Sequence, residues 1–371
     1  MRDGRPPFAV RKTVFCKALP NFNETSMYKN YKVVVNTAAG RRRYMQYLIP
    51  YIVSSDIVDR YDIWINTHNG ADIEFFKQVA AKFPVVNLVW QPDGVVNGNA
   101  SINAFYKSCT EPETIYFKLD DDVVWMEPGL IEKMVSFRAD NPQYFVVSPL
   151  VVNNSLSTYL LQVENKIRLD KYYQASSSHP VLWKSGYFAK ELHLWFIEKY
   201  LKTGRWNALH MGKKEMGMTR FSINAILWFG DEMRKFGGVV PGDDEEFMSC
   251  IYPTRNGMSN AWNGDALVAH FAFFTQREQL DKWHVLERYG EACRKDFTSA
   301  DKLRGYYDAV QAAMKYVNDN EAELMRRPSP YRSVPVKDTL RGRIKKCLPK
   351  AVQELLFIRY DLKRQGGFII E

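Results

Sequence analysis

Three aspartates, Asp120, Asp121 and Asp122, stand side by side in IYFKLDDDVVWMEPG (residues 115–129), directly after an apolar run. Adjacent carboxylates repel one another, and burying any of them uncompensated is costly, so the arrangement calls for a cation. Hard divalent ions take oxygen ligands, and Mg2+ or Mn2+ commonly bridges a carboxylate to substrate phosphates. In an Asp-x-Asp placed past a strand end, Asp120 can reach a ribose or a water in the metal's shell, and Asp122 can bind the metal directly. The competing reading is an acid-rich loop that caps a helix or faces solvent.

Two further stretches carry the same kind of chemistry. VVPGDDEEFMSCIY (residues 239–252) holds Asp243, Asp244 and Glu246. Its alternatives are a general base and an ordinary N-capped helix whose acidic first turn the helix dipole favours. DALVAHFAFFTQR (residues 265–277) sets His270 between apolar residues, as a metal ligand or as a satisfied structural histidine.

The elements that would position these residues alternate. YKVVVNTAA (31–39), YDIWINTHN (61–69), VVNLVW (85–90), TIYFKLDDD (114–122) and YFVVSPLVV (144–152) predict buried strands. Between them RRRYMQYLIPYIVSS (41–55), ADIEFFKQVAAKF (71–83), NASINAFYKSC (99–109) and PGLIEKMVSFRAD (128–140) predict helices, the last with Pro128 at its start, where a missing N–H does no harm. This rhythm predicts an α/β fold with a mostly parallel sheet covered on both faces, and ligands at the carboxyl ends of its strands. The acid cluster falls at one of those ends.

At this point the chain resembles the GT-A glycosyltransferases, which use nucleotide sugars and carry an Asp-x-Asp motif; the resemblance is nearest to their inverting family 2-like group. NGNASINAFYKSCTEPETIYFKLDDDV (residues 97–123) is similar to that group's helix and Asp-x-Asp strand, with Ser101, Ile102 and Asn103 where the group often has an Arg-Asn pair. Residues 239–252 resemble its Gly-Glu-Asp-x-Asp/Glu-Leu element, which implies Asp244 as the catalytic base, with Asp243, Glu246 and Phe247 in the neighbouring slots. The order of elements implies His270 as completing a metal site with Asp120 and Asp122. The fold further implies donor contacts at Asn36 and Thr37, at Asn66, His68 and Asp72, at Asn99, and at Asp120 and Asp121. Arg41, Arg42 and Arg43 either approach phosphates or face solvent. Trp206, His179, Asp243 and Glu246 are acceptor-side candidates.

The resemblance implies transfer of a sugar from a nucleotide sugar, a UDP-sugar in the first instance, to a hydroxyl of a glycan or glycolipid, with Mn2+ or Mg2+ as cofactor. Two rivals stand beside it: a nucleotidyltransferase that makes an activated sugar, and a noncatalytic glycan- or nucleic-acid-binding protein. No nucleic-acid recognition motif accompanies the positive charge.

Bulk properties frame this reading. In 371 residues, 46% are hydrophobic and 25% charged, enough for a large α/β domain with appendages. The net charge of +9 suits an anionic partner such as a nucleotide or an anionic lipid surface. Cys16, Cys109, Cys250, Cys293 and Cys347 are scattered and form no disulfide framework or zinc pattern, which with the lack of a signal-like segment points to the cytoplasm. Sequons occur at Asn23, Asn99 and Asn153.

Residues 1–30 read as an arm, 31–276 as the catalytic domain, and 277–326 as a helical extension. Residues 153–238 read as an acceptor-side elaboration over the sheet's edge. Residues 327–371 comprise a Pro-punctuated linker and a basic amphipathic tail that could lie on a membrane.

Overall fold

In the computed structural model, residues 28–217, 219–332, 349 and 367–370 are described. The expected arm and basic tail therefore lie almost wholly outside the described residues. Four strands form a parallel set: β1 (Lys32–Ala39), β2 (Arg60–Ile65), β3 (Val86–Trp90) and β4 (Thr114–Leu119), in the order β3-β2-β1-β4. Two helices, α1 (Arg42–Val53) and α2 (Gly70–Lys82), make the crossovers between the first three. Asn69 caps α2, its side-chain oxygen accepting from the amides of Ala71 and Asp72 at 2.9 and 3.0 Å.

The remaining strands are β5 (Val123–Met126), β6 (Tyr144–Val152), β7 (Lys213–Gly217), β8 (Ala225–Phe229) and β9 (Ser259–His270). They extend the same nine-stranded sheet, with β8 antiparallel between β4 and β6, and β9 parallel to β6. Both β5 and β7 pair antiparallel with β9. Helices α3 (Leu130–Asp140), α4 (Ser155–Val163) and α5 (Gly186–Phe196) accompany this half.

Each face of the sheet buries its own cluster. Along β1, Val33 and Val35 join one core while Val34 joins the other, as the period of two requires. The first core takes in α1, α2 and the helices Val285–Thr298 and Asp301–Asp319, which pack on α1. Trp64, Tyr106, Tyr116, Trp228 and Trp262 fill the second.

Two expectations needed correction, and one strand had not been foreseen. The predicted helix over 99–109 is a 3-10 helix, Ile102–Ser108. Residues 123–126 form a strand, β5, immediately after the acids. And residues 153–238 do not only cover an edge, because β8 lies in the middle of the sheet. A short, wholly buried strand such as AILWF has no alternation to betray it. Among the described residues Cys109 and Cys293 are free thiols, and no helix is long and apolar enough to cross a membrane.

Candidate active site

The acid turn is held from three sides. Asp120 follows β4 directly, and its amide donates to the Asn224 carbonyl at 2.8 Å, just before β8. The Asp122 carbonyl accepts from the Phe271 amide at 2.7 Å. Because β5 begins right after the turn and pairs Val123 with His270, the strand register itself sets the imidazole beside Asp122. Asp120, Asp122 and His270 each offer a ligand atom, and these atoms lie within 4.8 Å of one another.

His270 is buried. Its Nδ1 donates to the carbonyl of Asn153 at 3.2 Å, which turns Nε2 toward Oδ1 of Asp122, 3.4 Å away. Fixing one ring nitrogen on a backbone carbonyl so that the other is presented is the usual support of a metal-ligating histidine. Burial opposes the charged ring, but Asp122, Asp120 and the Asn153 carbonyl together raise the His270 pKa above its ordinary value. Burial likewise opposes ionisation of Asp122, yet Arg41 and His270 prevail and hold its carboxyl down at about 2. Asp121 goes the other way, its pKa raised by burial despite its bonds to Arg41 and to the Gly40 amide. Two carboxylates and one oriented imidazole nitrogen form a donor set that fits Mn2+ or Mg2+.

Beneath Asp120 lies Lys118, whose Nζ is 2.5 Å from Oδ1 of Asp120 and 3.2 Å from the Ile223 carbonyl. It is only 3% exposed. Asn224 donates to the other oxygen of Asp120 at 3.0 Å.

Across the cavity, Asp243 caps the short helix Asp244–Glu246, accepting from the Glu246 amide at 3.2 Å. Asp244 accepts from the Tyr106 hydroxyl at 3.0 Å. Gly238 lets this loop close on the 3-10 helix: its φ is +66°, and a Cβ there would meet the Tyr106 carbonyl at 2.4 Å. Burial pushes the Asp244 pKa up, with the Lys118 cation and the Tyr106 hydrogen bond pulling the other way. Arg220 ties Glu245 at 2.9 Å and Asp243 at 3.1 Å.

Both groups face one cavity of about 1270 Å³, lined also by Arg41, Asn66, Asn99, Trp183, Phe274 and Arg277. Of the sequence-derived site residues it brings together Asn66, Asn99, Asp120, Asp121, Asp122, Asp243, Asp244 and His270.

The others lie away from its wall. Asn36 and Thr37 are buried in β1, Asn36 against Cys109 and Thr37 accepting from the Tyr61 hydroxyl at 3.2 Å, because the inward positions of a central strand go to the core. His68 is engaged by Ser329 at 2.7 Å and the Val96 carbonyl at 3.1 Å. Asp72 bonds Arg42 at 2.8 Å, joining α1 to α2. Trp206 packs edge-on against Trp125, ring centres 5.7 Å apart. His179 accepts from the Val181 and Leu182 amides at 3.1 and 3.2 Å, a local turn role. Glu246 pairs with Arg220 at 3.8 Å on the outer side of its helix.

Sequence reasoning missed Lys118, Tyr106, Asn224, Arg220 and Arg277. Lys118 did leave a signal, since a lysine inside a buried strand demands a carboxylate. The rest come from distant segments.

No family model matches this chain, and no curated protein matches it. Solved structures similar to it include CMP:2-keto-3-deoxy-manno-octonic acid synthetase complexed with CTP, 11% identical, TM-score 0.39, over 69% of this chain and 98% of that one. Another is glucosyl-3-phosphoglycerate synthase from Mycobacterium tuberculosis in complex with Mg2+ and uridine diphosphate, 12% identical, TM-score 0.36, over 71% and 80%. A third is S. aureus TarS 1-349, 8% identical, TM-score 0.39, over 79% and 83%.

Proposed function

We propose that this chain is a glycosyltransferase that moves a sugar from a nucleotide sugar, a UDP-sugar in the first instance, to a hydroxyl of a glycan or glycolipid, with inversion at the anomeric carbon. The observation that carries this reading is one cavity with a cation-binding trio, Asp120, Asp122 and His270, on one wall and a further carboxylate, Asp244, on another. A divalent cation held by the trio would supply Lewis-acid neutralisation of the departing diphosphate.

The chain's own residues do the rest. Asp244 takes the acceptor hydroxyl's proton while that oxygen bonds to the anomeric carbon, and the bond from that carbon to the diphosphate oxygen breaks with its electron pair leaving on the diphosphate. Burial raises the Asp244 pKa, which makes it a stronger base than a free aspartate, while the Lys118 cation and the Tyr106 hydrogen bond pull it the other way. Asn66 and Asn99 contact the donor.

Replacing Asp244 with Asn should lower transfer by about 10³ and leave nucleotide binding intact. Undiminished turnover in that variant refutes the base assignment. Release of inorganic pyrophosphate from a nucleoside triphosphate and a sugar phosphate would instead identify a nucleotidyltransferase.

A further inference from the structure

Two guanidinium groups converge on Asp122, a carboxylate assigned to the metal. Arg41 Nε lies 3.0 Å from both oxygens of Asp121, its Nη2 bonds the same carboxylate, and its Nη1 stands 3.0 Å from Oδ2 of Asp122. Nη2 of Arg277 reaches that same Oδ2 at 3.6 Å. Nε of Arg277 is buried without a hydrogen-bond partner, and Nη1 of Arg41, also buried, has its ion pair with Asp122 but no hydrogen bond.

Other cations of the cavity are committed elsewhere, Lys118 to Asp120 and the Ile223 carbonyl, Arg220 to Glu245 and Asp243. A buried donor left unmade is costly, and a guanidinium is shaped to take oxygens in pairs from carboxylate or phosphate. Nε of Arg277 and the Asp122-facing edge of Arg41 therefore suit an anion with several oxygens.

Arg41 also stands where a cation would. A divalent ion approaching Asp122 meets a guanidinium already on that carboxylate, and the two positive charges oppose each other. If Arg41 turned to a diphosphate, Asp121 would keep the Gly40 amide at 3.0 Å, and the Arg41 backbone could stay where it opens α1. The Arg41 side chain makes no capping bond that its departure would break.

We propose that Arg41 acts as an internal counter-ion that competes with the metal for Asp122, and that it passes to the diphosphate of an incoming nucleotide beside Arg277. Metal and nucleoside diphosphate then bind as a pair, each weak without the other. This deepens the proposed function and rests on its metal and donor assignments.

The test is Mn2+ binding to the full chain, read by electron paramagnetic resonance with and without UDP, in the parent, Arg41→Gln, Arg41→Lys and Asp122→Asn. In the parent, UDP should tighten Mn2+ by about tenfold or more, the size of a tenfold coupling in either direction. Arg41→Gln should bind Mn2+ alone about tenfold tighter than the parent, and UDP should then add less than about threefold. Arg41→Lys keeps the charge without the fork and should fall between them, which preserves the test if the Gln variant does not fold. Equal Mn2+ affinity without UDP in the parent and both Arg41 variants, with Asp122→Asn losing it, overturns the counter-ion and leaves the metal site standing. No Mn2+ binding by the parent or either Arg41 variant, with UDP present, overturns the metal assignment and this inference with it.

Discussion

The chain carries two acidic runs, residues 120–122 and 243–246, and folding treats them in opposite ways. Asp121 and Asp122 are 4% and 3% exposed and are surrounded by Arg41, Arg277 and His270. In the second run the Asp243 and Glu246 side chains are 53% and 49% exposed, and among the described residues their ion pairs are with Arg220. The first run sits on the turn between two sheet strands, where neighbouring strands bring cations to it; the second opens a short helix that solvent and the helix dipole can accommodate. The lesson is that buried acids need several positive partners and so mark a binding site, whereas a more exposed acid-rich helix start is content with fewer and offers one poised carboxylate, Asp244.

Substitutions can break or sharpen this contrast. The largest effect should follow from Asp122→Ala, which removes a ligand from the trio and leaves Arg41 with one carboxylate; metal-dependent turnover should fall by about 10⁴ or more, since a Lewis acid contributes several kcal/mol. Steady-state rates at saturating Mn2+ read it. Asp244→Asn should lower transfer by about 10³ with KM for the donor unchanged, the size expected of a lost general base.

Next comes Lys118→Met, which joins the two runs. Its cation lowers the Asp244 pKa against burial, so without it that pKa rises further. The base is then protonated at higher pH, and the acid limb of the rate-pH profile should move upward, with about a tenfold loss below neutrality. An acid limb that stays in place would deny the link. Arg220→Gln, on the exposed run, should change the rate by less than about threefold, as partly exposed ion pairs contribute little. A larger loss would mean that the second run depends on its cation as the first does.

The parallel half of the fold was legible because β1 to β4 and their crossovers alternate in period and type. β8 was not, because AILWF is apolar throughout and could belong to a buried helix as well as to a strand. β5 was hidden for the same reason, its four residues following the acids without a break. Within the site, Asp120, Asp122, Asp244 and His270 could be picked out because each sits in a short motif, and the structure places all four on one cavity. Asn36, Thr37, His68 and Asp72 were picked by strand-end position alone, which cannot say which way a side chain points. Arg277 reaches the cavity, and Tyr106 reaches Asp244, through packing between segments far apart in the chain, and no local pattern announces that.

The measurement that bears most directly on the central claim is hydrolysis of a panel of nucleotide sugars with and without Mn2+, comparing the parent with Asp122→Ala. The account predicts Mn2+-dependent release of nucleoside diphosphate from at least one donor by the parent and none by the variant. Equal release by both, or no release together with no Mn2+-dependent nucleotide binding, would contradict it.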